Sequence, residues 1–213
     1  MNRFCASSNQ FTVTDFKYGQ GAEIFGEAEP AEYIYQVVTG AVRTHKLLSD
    51  GRRQIAAFHL PGDFLGLESI ATHRFTAEAI TSTKVHLARR KNLDDVARSD
   101  PSISRIIRGE ITRDLMHAEN HLLLLGRKNS LEKVAAFLFE MRLRLTEAGV
   151  IHLLMTRNDI ADYLGLTLET VSRVFSDLHR KNILRFDDNR PREVVVLDVK
   201  ALAKLAGGRP PTS

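Results

Sequence analysis

Short apolar runs separated by glycine-containing turns fill the first part of the chain, from residue 16 to about 93. The runs are rich in Val, Ile, Phe, Tyr and Thr, which are residue types enriched in β-strands. Gly40, Gly51 and Gly62 follow one another at intervals of 11 residues, within the ~8–12 spacing typical of all-β sandwiches and barrels. The pattern predicts an antiparallel β-barrel or jelly roll over residues 16–100, within an α+β chain.

The period of the apolar positions changes after Pro101. Pro101 suits the first turn of a helix, and Asp100 before it can act as the N-cap. Further along, apolar residues spaced 4, 3, 4 and 3 apart form a heptad seam of the kind that buries against another helix: Ile111, Leu115, Ala118, Leu122 and Leu125. We predict a helix over residues 101–126 through which two copies of the chain dimerise. Packing of the same stripe on the chain's own β domain is the alternative.

Residues 127–206 show helix and strand signals in quick succession. Ser130 can cap a helix that runs to about residue 147, and Leu153–Met155 has the composition of a short strand. Thr156, followed three residues later by Asp159, resembles a capping box, so a further helix is expected to begin there. Gly165 supplies a turn after it. The tail, residues 207–213, contains two prolines and is expected to be disordered.

A second helix is predicted directly after the turn at Gly165, with Thr167 as its N-cap. One face of this helix is apolar at positions i, i+3, i+4 and i+7, and therefore belongs to the core; it comprises Val171, Val174, Phe175 and Leu178. The opposite face is polar. Two short helices joined by a glycine-containing turn form a helix-turn-helix, whose second helix enters the major groove of DNA. A strand pair around the basic turn 187–192 follows, which predicts a winged form of this motif.

The distribution of charge agrees with a nucleic-acid partner. Residues 1–126 carry 15 basic and 15 acidic side chains, whereas residues 127–213 carry 15 basic and 11 acidic ones. The formal net charge of +4 therefore lies in the C-terminal part of the chain, where it would attract a polyanion such as the DNA backbone. From charge alone, an ordinary solvated surface remains the alternative.

Other chemistry is weakly represented. The chain contains none of the common catalytic motifs, so an enzyme is not predicted. His117 and His121 lie one helical turn apart, but no third metal ligand is evident. No apolar run approaches the ~20 residues needed to span a bilayer, and no signal peptide is recognisable at the N-terminus, so a cytoplasmic protein without membrane association is expected. Cys5 is the only cysteine, which excludes a four-thiolate cluster within one subunit.

Barrel, long helix and winged helix-turn-helix, in this order, resemble the superfamily of the cyclic-AMP receptor protein and the fumarate–nitrate reduction regulator. The most specific part is the segment 160–173, IADYLGLTLETVSR, whose Glu-x-x-Ser-Arg is similar to the fumarate–nitrate branch. The cyclic-AMP branch has Arg before that Glu and Gly in place of that Ser, where this chain has Leu168 and Ser172. Without an N-terminal cysteine cluster, the chain is most similar to FixK-type regulators of nitrogen fixation and microoxic growth.

The resemblance implies a homodimeric transcription regulator, mainly an activator, that binds the palindrome TTGAT-N4-ATCAA and contacts RNA polymerase. On the recognition helix, Arg173 can bind guanine O6 and N7, Glu169 can accept from cytosine N4, and Ser172 can contact thymine. A surface ion pair between Glu169 and Arg173 is the alternative role for these two residues. The remaining residues that we predict to bind DNA are Thr167, Thr170, Arg157, Arg180 and Lys181.

No cofactor is predicted for the barrel. In related barrels, the phosphate of a cyclic nucleotide is held by a Gly-Glu pair and an Arg-Ser/Thr-Ala stretch. This chain has Gly66-Leu67-Glu68, but Phe75 precedes Thr76-Ala77 and Arg74 lies one place early. An apolar ring cannot replace a guanidinium as a phosphate ligand. A regulator of the same architecture gated by a nucleotide or another small molecule remains the alternative function.

Overall fold

A computed structural model describes residues 13–68, 70–127, 129–187 and 190–207. The chain divides into two compact units, and the boundary between Ala118 and Glu119 falls within the long central helix. The predicted fold class, an antiparallel barrel followed by a long helix and a winged helix-turn-helix, is confirmed. Cys5 and residues 208–213 of the predicted disordered tail lie outside the described residues.

Eight strands build the N-terminal barrel. They form two antiparallel sheets of four strands, with the orders β1-β8-β3-β6 and β2-β7-β4-β5. Alternate side chains of the strands point between the sheets, which gives the two-layer core of a jelly roll. The strands are β1 (Thr14–Tyr18), β2 (Glu23–Phe25), β3 (Tyr33–Thr39), β4 (Val42–Leu47), β5 (Arg53–His59), β6 (Phe64–Leu65), β7 (Thr76–Ala79) and β8 (Thr83–Arg89).

Two glycines of the barrel are required by geometry. Gly40 joins β3 to β4 with φ +84°, and a Cβ there would lie 2.5 Å from the carbonyl oxygen of Ser82. Gly66 follows β6 with φ +79°, and a Cβ there would lie 2.8 Å from the carbonyl oxygen of Tyr33. Both positions combine a left-handed backbone with a close approach of another strand, so side chains other than glycine are excluded.

The helices after the barrel only partly match the sequence prediction. α1 (Arg90–Ser99) follows β8 directly and was not anticipated. α2 (Pro101–Arg127) has 27 residues and corresponds closely to the predicted helix 101–126. The carboxylate of Asp100 accepts a hydrogen bond of 2.8 Å from the backbone N–H of Ser102, which confirms Asp100 as its cap.

Helices and a small sheet alternate in the C-terminal unit. The sheet is antiparallel, with the order β11-β12-β10-β9, and one end of it forms the wing. The elements are α3 (Ser130–Leu145), β9 (Thr146–Glu147), β10 (Val150–His152), α4 (Arg157–Leu164), α5 (Leu168–Arg180), β11 (Leu184–Asp187), β12 (Arg190–Val196) and α6 (Val199–Leu205). α6 was not anticipated from the sequence.

Three local predictions in this unit are wrong. The cap of α3 is Asn129 rather than Ser130, because the Asn129 side chain and Glu132 form a reciprocal capping box. The strand before α4 is β10, and the apolar segment 153–155 lies outside it. The second wing strand begins at Arg190, so the turn is shorter than predicted. For α3, hydrogen bonding of the Asn129 side chain, which the apolar pattern does not report, sets the start of the helix.

Candidate nucleic-acid interface

The first helix of the helix-turn-helix is fixed at both ends by its own sequence. The hydroxyl of Thr156 accepts from the N–H of Asp159 at 3.1 Å, and the carboxylate of Asp159 accepts from the N–H of Thr156 at 3.0 Å. This confirms the predicted capping box. At the other end, Gly165 adopts the left-handed conformation with φ 62° and ψ 43°. The chain can therefore turn sharply into α5.

The apolar face of α5 is buried as the sequence predicts. Val171, Val174, Phe175 and Leu178 are all at most 5% exposed. Thr167 caps the helix by accepting from the N–H of Thr170 at 3.2 Å. Burial of one face and a fixed N-terminus hold the opposite face toward solvent.

The three predicted base-reading residues share this solvent face. Glu169, Ser172 and Arg173 are all exposed. Among the described residues, Arg173 has neither an ion-pair nor a hydrogen-bond partner, so the surface ion pair with Glu169 is not formed. The backbone N–H of Glu169 and the Thr167 hydroxyl donate to the Glu169 carboxylate and lower its pKa. Glu169 is therefore ionised and can accept a hydrogen bond at neutral pH.

The other predicted DNA contacts lie in different surroundings. Arg180 and Lys181 are exposed at the end of α5, and Arg180 forms an ion pair with Asp177. Arg157 instead stacks on the Phe175 ring, with its guanidinium carbon 3.2 Å from the ring centroid. Burial lowers the pKa of Arg157 to about 10. The stacking gives Arg157 a packing contact that joins α4 to α5, which the sequence did not indicate.

Two exposed features near the recognition helix and on the wing were not predicted from the sequence. Leu168, the first residue of α5, is 42% exposed beside Glu169. An exposed leucine at the start of a polar helix face suits contact with a thymine methyl group. On the wing, Arg185, Arg190 and Arg192 are exposed. The sequence signal for Leu168 was that it stands where the cyclic-AMP branch has Arg. The sequence signal for the wing arginines was the basic turn.

Comparison with known proteins decides the family. The sequence matches the cyclic nucleotide-binding domain over residues 15–100 and the Crp-like helix-turn-helix domain over residues 132–205. It is 41% identical to the nitrogen fixation regulation protein FixK of Rhizobium meliloti strain 1021 over 178 residues, covering 84% of this chain and 81% of that protein. The chain belongs to the Crp/FNR family. Within it, the chain is a FixK-type DNA-binding transcription regulator.

Two further relatives support the FixK-type assignment. The chain is 42% identical to the protein FixK of Bradyrhizobium diazoefficiens over 187 residues, covering 83% of this chain and 79% of that protein. The solved structure of FixK2 from Bradyrhizobium japonicum superposes with a TM-score of 0.88 at 54% identity, covering 91% of this chain and 97% of that chain. The relatives are transcription regulators, which agrees with the absence of catalytic motifs from the sequence.

The predicted dimerisation residues of this family member have mixed surroundings on α2. Leu122 is 71% exposed, and its neighbour Leu123 is 59% exposed. Ile111, Leu115 and Ala118 line a cavity of the barrel unit, although each is exposed. Leu125 lies within its own C-terminal unit, where its Cδ2 would be 3.7 Å from a Cβ at Gly165. The stripe therefore divides into a part beside the barrel cavity, at Ile111, Leu115 and Ala118, and an exposed part at Leu122.

The cavity of the barrel unit measures about 520 Å³ and has a largely apolar lining. Two of its polar side chains are hydrogen-bonded within the barrel: Thr44 to His59 at 3.1 Å, and Glu68 to His73 at 3.2 Å. The Arg74 guanidinium lies 5.8 Å from the centroid of the Phe75 ring. The size is within the range of small-molecule sites.

Arg74 and Phe75 both line the cavity, at the place where the sequence departs from the Arg-Ser/Thr-Ala stretch of related barrels. The wall contributed by α2 adds a carboxylate, Asp114. Desolvation, reinforced by the nearby carboxylates of Asp63 and Glu110, raises the pKa of Asp114 to about 6.

Across the part of the chain that the structure describes, no cluster of three His, Cys, Asp or Glu residues could hold a metal ion. His121 is hydrogen-bonded to the carbonyl of Tyr163. Among the described helices, none is both long and apolar enough to cross a bilayer.

Proposed function

We propose that this FixK-type regulator binds the palindrome TTGAT-N4-ATCAA as a homodimer, mainly to activate transcription by contact with RNA polymerase, and that it needs no iron–sulfur cluster or nucleotide. The observation that carries the proposal is the open face of α5. Glu169 and Arg173 are both exposed there, and Arg173 lacks a protein partner among the described residues. A guanidinium in that state can offer its bidentate donor pair to guanine without breaking an existing ion pair.

The palindrome follows from two-fold symmetry. In a dimer, two copies of α5 would enter successive major grooves about 34 Å apart, one turn of B-DNA. The exposed leucines at positions 122 and 123 are the surface that we assign to the dimer contact. Large exposed apolar groups on one helix are costly in water, and pairing with a second copy would remove them from solvent.

Fluorescence anisotropy with purified protein and no added ligand tests this function. We expect tight binding to a labelled palindrome and binding about 10³-fold weaker to DNA with both half-sites scrambled. Raising the salt concentration should weaken both complexes, because each releases counterions from phosphate. Equal affinity for the palindrome and the scrambled DNA, at every salt concentration, would contradict the proposal.

A second candidate function is a regulator of the same architecture gated by a small molecule. The cavity of about 520 Å³ favours it, since such volumes accommodate small ligands. Because Thr44 and Glu68 are already hydrogen-bonded within the barrel, a ligand would bind chiefly through apolar contacts. The anisotropy experiment separates the two candidates: a gated protein would discriminate the palindrome only after addition of a cell extract of small molecules.

A further inference from the structure

Side chains from two other helices form hydrogen bonds with the C-terminal end of α4, the helix that precedes the turn of the helix-turn-helix. The last carbonyls of an α-helix have no intrahelical N–H partner. In α4, the carbonyl of Tyr163 accepts from Nε2 of His121 at 2.9 Å, and the carbonyl of Leu164 accepts from Nζ of Lys133 at 3.2 Å. His121 belongs to α2 and Lys133 to α3. The end of α4 is thus capped from outside.

Aromatic stacking adds to the contact of α2 with α4. The rings of His121 and Tyr163 are nearly parallel, with centroids 4.0 Å apart and an interplanar angle of 7°. Tyr163 is only 3% exposed and also packs against the ring of Phe137 on α3. The imidazole of His121 therefore contacts Tyr163 twice, by a hydrogen bond from Nε2 to its carbonyl and by stacking on its ring. Together these contacts restrain both the distance and the orientation of α4 relative to the end of α2.

The location of these contacts matters for DNA recognition. The capped carbonyls immediately precede Gly165, which turns the chain from α4 into α5. Residues 119–127, the last two turns of α2, belong to the same compact unit as α4. A contact between them therefore sets the direction of the recognition helix relative to the end of the central helix.

We infer that His121 and Lys133 are positioning residues, which fix the angle of the recognition helix to the central helix and thereby the half-site spacing that a dimer accepts. The inference rests on the proposed palindrome binding by a dimer. Neither residue needs to touch DNA. Each neutralises an orphan carbonyl at a helix C-terminus, where a donor or cation is favourable.

The test measures how strongly the protein prefers one spacer length between the half-sites over another. A residue that only stabilises the fold would not change this preference. One extra base pair between half-sites moves them apart by about 3.4 Å and rotates them by about 35°. We expect the parent protein to bind the four-base spacer at least about tenfold more tightly than the five-base spacer, because both recognition helices cannot engage at once on the latter. Binding to DNA with a single half-site provides the reference for each protein.

His121→Leu removes the donor and keeps an apolar side chain. We expect it to reduce the preference for the four-base spacer to about threefold or less, while single half-site affinity changes by less than about twofold. His121→Gln, which retains an N–H donor, should recover part of the preference. Lys133→Met removes the second donor and should relax the preference independently.

Two control variants separate positioning from stability. Asn120→Ala changes an exposed neighbour of His121, and Leu202→Val removes one methylene from the buried face of α6. Leu202→Val should lower the melting temperature and leave the spacer preference at the parental value. If His121→Leu proves unfolded by circular dichroism, His121→Gln and Lys133→Met decide the question.

The outcomes distinguish the proposed palindrome binding from the positioning role of His121 and Lys133. A parent protein with no preference between the spacers would contradict dimeric palindrome binding itself. A parent with a clear preference, together with His121 and Lys133 variants that keep it, would overturn the inference and leave the proposed function in place.

Discussion

The solvent face of α5 and the cavity of the barrel differ in what their polar side chains contact. On α5, Arg173 extends into solvent with no protein partner among the described residues. In the cavity, Thr44 is bonded to His59 and Glu68 to His73. The backbone is held firmly in both places, by the Thr167 cap on α5 and, behind the cavity, by Arg90, whose guanidinium donates to the carbonyl of Gly66 at 2.6 Å.

This difference indicates how one protein can bind DNA through α5 without a ligand bound in the barrel cavity. A polar group without an internal partner can bind an external one at little desolvation cost to the protein, whereas a group already paired must first lose its hydrogen bond. Arg173 on the recognition helix is therefore available to DNA, whereas Thr44 and Glu68 in the cavity would have to give up a hydrogen bond to bind a ligand. The experiments below test each half of this contrast, in order of decreasing expected effect.

Leu122→Lys should have the largest effect on the recognition side. Lysine would place a charge in the apolar surface assigned to the dimer and should produce monomers, because a buried unpaired charge is strongly unfavourable. A monomer lacks the recognition helix of the second subunit, so palindrome binding should weaken by about 100-fold or more. Sedimentation velocity and anisotropy measure the two consequences.

Leu122→Met is the matched control, since it keeps an apolar side chain and should leave the dimer intact. Binding of the Leu122→Lys protein to a single half-site should equal that of the parent. A dimer that survives Leu122→Lys would show that the surface at Leu122 and Leu123 is not the dimer contact.

Arg180→Ala should have a smaller and sequence-independent effect. Arg180 is exposed at the end of α5 and forms an ion pair with Asp177, so its guanidinium is held at the surface. We expect the affinity for every DNA to fall by about 1 kcal/mol. The slope of log affinity against log salt concentration should also decrease, by an amount that corresponds to about one released counterion. Lys181→Ala should act in the same way. A loss confined to the palindrome would instead identify Arg180 as a base-contacting residue.

The cavity should respond to pH through Asp114. Its pKa is raised from 3.8 to about 6 by desolvation and by Asp63 and Glu110. The folded state therefore binds this proton more tightly than the unfolded state, so stability falls as the pH rises from about 4 to about 6. Asp114→Asn removes this loss and should stabilise the protein at pH 7.5 by about 1 kcal/mol, a value reduced for screening because the residue keeps exposed surface.

Urea unfolding of both proteins at pH 4 and pH 7.5 measures this effect. At pH 4 the carboxyl of Asp114 is protonated in the folded state and about half protonated in the unfolded state, so the advantage of Asp114→Asn should be small there. An equal advantage at both pH values would mean that the substitution acts through packing rather than charge.

Cyclic AMP should have no effect on the parent protein. Phe75 removes the guanidinium that would hold the phosphate, so calorimetry at micromolar nucleotide should detect no binding. Phe75→Arg restores a guanidinium at that place and is the variant in which binding is expected to appear. Saturable binding by the parent, accompanied by tighter DNA binding, would favour the gated function instead.

The sequence predicted those features that local chemistry determines. The capping box of Thr156 with Asp159, the turn at Gly165 and the buried stripe of α5 depend on neighbours within a few residues, so their spacing alone located them. Long-range contacts had no such signal. The stacking of Arg157 on Phe175 and of His121 on Tyr163 joins residues 18 and 42 positions apart, which periodicity cannot reveal.

The dimer stripe shows the same limit. Its heptad spacing identifies one apolar face of the helix, but an apolar face does not identify what covers it. The structure divides that face, with Leu115 beside the barrel cavity and Leu125 beside Gly165 in the C-terminal unit. The helices α1 and α6 were not predicted, whereas α4, which is shorter than α1, was located by its capping box and by the turn at Gly165.

Base discrimination by Arg173 is the most direct test of the account. Anisotropy should compare the parent and Arg173→Ala on the palindrome and on the same DNA with the G·C pair of each half-site changed to A·T. The account predicts that the parent loses about 1–3 kcal/mol per half-site on the altered DNA, and that Arg173→Ala binds both DNAs with the same reduced affinity. Equal binding of the two DNAs by the parent would contradict the assignment of α5 as the recognition helix.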